Sequence, residues 1–101
     1  MASRLELQTL LETILGSSNV YFQPPPSIQM KYPAIRYVRS GIDNLLADDD
    51  TYLQDYSYDI TVIDRDPDSE IVRAVSRLPF CKFIRHYAAD NLNHDVFKLY
   101  F

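Results

Sequence analysis

The stretch Tyr58-Asp59-Ile60-Thr61-Val62-Ile63-Asp64-Arg65-Asp66-Pro67-Asp68 changes its period within a few residues, and that change decides the fold. Tyr56, Tyr58, Ile60 and Val62 alternate with Ser57, Asp59, Thr61 and Ile63. A period of two predicts a strand with one buried face, spanning 52–64. Asp66-Pro67 then predicts a helix start, with Asp66 as N-cap and Pro67 at the first helical position. Asp68 and Glu70 suit the positive end of its dipole. Ile71, Val75 and Leu78 supply an apolar face, and Pro79 ends the helix. Further on, 81–87 and 94–101 read as a hairpin around Asp90-Asn91-Leu92-Asn93, with Phe97, Leu99 and Phe101 on one face.

Upstream, Ser3-Arg4-Leu5-Glu6 fits a capping box. Leu7, Leu10, Leu11, Ile14 and Leu15 follow as a single helical stripe, and Gly16 suits a left-handed stop. Val20-Tyr21-Phe22 is a short aromatic strand. Pro24-Pro25-Pro26 cannot donate ladder hydrogen bonds and reads as a stiff connector, since the run is short and has no flanking basic residue at the spacing of a proline-motif ligand. Residues 34–40 form a strand with Ile35 and Tyr37 on one face and Arg36 on the other, and 41–51 reads as a polar loop. The order is α-β-β-β-α-β-β. Amphipathic helices need a sheet to cover, which predicts a two-layer α+β domain: a mainly antiparallel sheet under two helices, one domain over 1–101.

At 101 residues the chain supports one core, and 47% hydrophobic against 24% charged residues is a globular balance. Thirteen aromatics (8 Tyr, 5 Phe) exceed what so small a core holds, and surplus Tyr and Phe point to an interface. A net charge of −4 without a basic stripe argues against phosphate-driven nucleic-acid binding. A single cysteine leaves no partner for an intrachain disulfide. The amphipathic start lacks the pattern of a signal peptide, and no run of ~20 apolar residues is present, so a soluble protein with no membrane contact is expected.

Chemistry is weakly marked. His86 and His94 with Asp90 or Asp95 supply no clear third metal ligand, and surface hydrogen-bonding histidines are the default. Cys81 and His86 are five apart on one strand and point to opposite faces, so Cys81 reads as a small buried hydrophobe. Asp48, Asp49 and Asp50 lack calcium-loop spacing and read as a solvated loop. Asp59, Asp64, Asp66, Asp68 and Glu70 invite a divalent-metal enzyme reading. Three of them already serve the helix start, however, and with two glycines the chain has no phosphate loop. No catalytic residue, cofactor or metal site is expected.

Three segments carry a resemblance: Tyr32-Pro33-Ala34-Ile35-Arg36-Tyr37, the stretch from Tyr58 to Ser69, and Arg85-His86-Tyr87-Ala88-Ala89-Asp90-Asn91-Leu92-Asn93-His94-Asp95. They resemble the tail terminator family of long-tailed bacteriophages, also described as tail completion or head–tail joining proteins, and the element order is similar over essentially the whole chain. The resemblance implies a non-enzymatic virion structural protein that forms an oligomeric ring, usually a hexamer. Its partners would be further copies of itself, the tail tube protein and a head-completion or connector protein, with DNA passing through unread. Its location would be the host cytoplasm during virion assembly and then the virion neck. Val20, Tyr21, Phe22, Tyr87 and Phe97 are the expected subunit contacts, and Asp48, Asp49 and Asp50 the expected channel-facing loop. The alternative is an accessory protein-binding module that uses a sheet edge or the Pro-rich loop; a divalent-metal enzyme stands behind both.

Overall fold

The computed structural model describes residues 4–24, 29, 31–46 and 52–101, with backbone alone at 42–46 and 52–55. The chain runs α1 (Arg4–Leu15), β1 (Val20–Phe22), β2 (Ala34–Leu46), β3 (Tyr52–Asp64), α2 (Glu70–Ser76), β4 (Cys81–Ala89) and β5 (Leu92–Tyr100). The five strands form one sheet in the order β1-β2-β3-β5-β4. Only β1 runs parallel to its neighbour; the other pairs are antiparallel. This is the expected α+β architecture. Neither described helix is long and apolar enough to cross a membrane.

Register explains the core. Val20 stands beside Ile35, Ile35 opposite Val62, Tyr37 opposite Ile60, and Ile60 opposite Phe97. Cross-strand partners share a face, so these residues make one apolar layer. Leu7 and Leu11 of α1 and Val75 of α2 close it, each fully buried. Leu10 is half-buried and Ile14 and Leu15 pack on the margin, so the predicted helical stripe is the buried one. Gly16 ends α1 at φ 78°, a left-handed conformation that glycine adopts at low cost, and its N–H bonds Glu12 O at 2.9 Å.

Three local readings need correction. The segment from Gly41 to Leu46 is strand: Ile42 through Leu46 register against Tyr56 through Tyr52. Its polar composition suggested a loop, but hairpin pairing satisfies the backbone whatever the side chains are. The cap of α2 is Ser69 rather than Asp66: its hydroxyl accepts from Ile71 N at 3.2 Å, and the helix starts at Glu70. Asp66 and Pro67 stand earlier, in a turn where Asp64 Oδ1 accepts from Asp66 N and Asp66 Oδ1 from Asp68 N. The last hairpin is tighter than predicted, with Asp90 and Asn91 at φ 54° and 63° as a two-residue connection. Two successive positive φ values are the signature of the primed turn that fits strand twist.

Candidate interaction surface

Strand β4 is the outer strand of the sheet, and from Lys82 to Ala89 every residue is exposed. Among the described residues no strand pairs with the outer side of this nine-residue edge, and an open edge is a template for another strand. Its flanks are apolar. Phe80 is 80% exposed, Phe83 51%, Ile84 46% and Tyr87 41%. Phe83 stands edge-on to Phe97 with centroids 5.5 Å apart, so the core continues to the surface here without a polar rim. Ile84 sits where the register shifts between Phe83 and Arg85, a bulge that places two apolar side chains in succession at the edge. Phe80 holds φ 60°, a left-handed conformation costly for an aromatic residue, while its carbonyl accepts from Tyr100 N at 3.1 Å. A strained, exposed ring thus stands at the head of the open edge.

The expected contact residues divide. Tyr87 lies on the exposed edge and stacks on His94 at 4.6 Å. Tyr21 and Phe22 are half-buried on β1 at the opposite edge. Phe22 packs against Tyr37 at 4.9 Å, and the Arg4 guanidinium lies 4.5 Å above its ring. Val20 and Phe97 are corrected: they are 6% and 1% exposed and belong to the core. Their strands bring them inward because each registers with a buried residue, Ile35 and Ile60 respectively. The sequence reading missed Phe80, Phe83 and Ile84. The available signal was Phe83-Ile84, two adjacent large apolar residues that no single strand face can absorb. Asp48, Asp49 and Asp50 lie outside the described residues.

Several titratable groups make specific contacts. His86 Nδ1 meets Asp95 Oδ1 at 2.8 Å, whereas His94 pairs with Tyr87 in the neighbouring register position, on the other face of the hairpin. The two histidines therefore do not converge. Among the described residues no three His, Cys, Asp or Glu side chains stand where they could share a cation. The Asp64 and Asp66 carboxylates accept from backbone N–H groups of their own turn, and Asn93 Nδ2 ties that turn to β5 by donating to Asp64 O and Arg65 O. Burial raises the pKa of the Cys81 thiol above its ordinary value. Burial also raises that of Tyr37, although a hydrogen bond from Arg4 Nη1 at 3.2 Å pulls the other way. The Tyr37 hydroxyl donates to Gln8 Oε1, and Gln8 Nε2 donates to Val20 O at 3.1 Å. That chain of bonds pins α1 across β1 and β2. Neither a protein-family model nor a curated protein sequence matches this chain.

Proposed function

We propose that this protein is a structural subunit that closes a bacteriophage tail by forming a ring on the end of the tail tube and joining it to the head. The observation that carries the reading is the exposed apolar edge β4, with Phe80, Phe83, Ile84 and Tyr87 along it. Head-to-tail contacts between such edges and a different surface of the next copy close into a ring when the rotation per subunit divides the circle. A ring leaves a central hole, which suits DNA that passes through without being read. The resemblance of three chain segments to the tail terminator family supplies the biological setting: self, tail tube protein and head connector as partners, in the host cytoplasm and then the virion. No catalytic step belongs to this role.

The test is deletion of the gene in the parent phage. The expected outcome is abnormally long tails detached from DNA-filled heads, seen by electron microscopy. Tails of normal length joined to heads would overturn the reading. The same edge also supports a second reading, an accessory module that takes one extended strand of a single partner by sheet addition. A subunit that stays monomeric both alone and on tail tubes, yet binds one partner at a 1:1 ratio, would favour that second reading.

A further inference from the structure

We propose that the partner on strand β4 is the β2–β3 arm of a second copy of this chain. The idea rests on the ring reading for self-association and goes beyond it by naming the two segments that meet.

The arm is a distinct piece of the fold. β1 registers with β2 only at 35–37, and β5 registers with β3 only at 57–64. One further bond, from Phe101 N to Tyr56 O at 2.9 Å, closes that side. Beyond it, Asp43 through Leu46 and Tyr52 through Asp55 pair with one another and with no other described strand. Four paired positions extend the ribbon by roughly 13 Å. The long axis is 52 Å and the radius of gyration 14.6 Å, against about 13 Å for a compact chain of this length. A register shift between Arg39 and Gly41 lies at the root of the arm, where a bulge bends and re-aims a hairpin. A two-stranded ribbon alone in water is marginal at best, and this one carries Ile42, Leu45, Leu46, Tyr52 and Leu53. Such a ribbon calls for a cover.

Charge identifies the cover. The described residues of the arm, 42–46 and 52–55, include Asp43 and Asp55 and no lysine or arginine. The β2–β3 register puts Asp43 opposite Asp55, so the two acids share one position along the arm. The β4 edge has the reverse sign: residues 77–89 include Arg77, Lys82 and Arg85 and no acid. Among the described residues both segments also have an edge without a strand partner, and both carry apolar residues. In one subunit β5 lies between the root of the arm and β4, so an arm that projects from the sheet meets the edge of a neighbour. Strand addition would satisfy both open ladders, while opposite charges select the pairing.

The test uses the purified full chain in sedimentation equilibrium, from micromolar to millimolar concentration. Self-association is expected, weakening as salt rises. Asp43→Lys with Asp55→Lys, and separately Lys82→Glu with Arg85→Glu, should each weaken it by about tenfold, the scale of two exposed ion pairs. Combining all four substitutions should restore wild-type affinity. Replacing 43–55 with an Asn-Gly turn should give a monomer whose thermal unfolding matches that of the parent, which separates loss of contact from loss of fold. A chain that stays monomeric throughout, pairs of substitutions without effect, or a four-fold variant that stays weak would each overturn the contact. Self-association untouched by these changes, together with overlong tails in the deletion phage, would leave the ring standing on another contact.

Discussion

Leu11 and Ile60 stand on opposite sides of the same layer boundary, both fully buried, and the packing between α1 and the sheet rests on such pairs. Truncating either to alanine should lower unfolding free energy by ~2–5 kcal/mol in chemical denaturation. A loss near that of a surface site would contradict the packing described here. Tyr37 adds a polar anchor to this apolar contact. Its pKa is raised above 10.0 by burial, so the folded state holds the phenol proton more tightly than the unfolded chain does. The stability this contributes is complete below the unfolded pKa and is lost as pH rises through the higher folded value. Melting temperature should therefore fall above about pH 10, and Tyr37→Phe should flatten that fall while costing about 1 kcal/mol at neutral pH through the bonds lost to Gln8 and Arg4. Cys81 follows the same sense: its thiol should alkylate more slowly in the native protein than in denaturant at pH 8–9.

At the scale of elements, α2 and the two hairpins show which local signals govern. The seven-residue α2 depends on its cap and on Val75, so Ser69→Ala should cost about 1 kcal/mol. Asp66→Ala should cost less, since Asp66 supports a turn rather than the helix. Comparing the two variants in thermal melts decides which residue starts the helix. The turn between α2 and β4 holds Phe80 at φ 60°. Phe80→Gly should relieve that strain and stabilise the subunit by ~1 kcal/mol or less, yet weaken assembly, because the exposed ring is lost. A stabilised variant that assembles normally would remove Phe80 from the contact.

For the whole molecule, stability and association separate along the strand order. β3 lies at the centre and β4 at the rim, so a change on β4 reaches few buried neighbours. Ile84→Ser should alter unfolding free energy by no more than about 0.5 kcal/mol while reducing self-association measurably in sedimentation. An equal loss of both would mean that the edge is part of the core rather than a surface for a partner.

The amino-acid sequence by itself determined the α+β class, the buried faces of α1 and β3, and the left-handed stop at Gly16, because each follows from a period or a backbone constraint within a few residues. The place of the last turn was legible for the same reason, although its two-residue length at Asp90-Asn91 was not. Tertiary structure alone decided that β5 enters the sheet beside β3 and leaves β4 outside. Phe97 and Phe83 have similar local surroundings in the sequence, yet one is core and the other lies on the rim. A period of two specifies the faces of a strand and says nothing of its neighbours. Edge or centre is settled by pairing between distant segments, and so is the length of the β2–β3 arm, which polar composition disguised as a loop.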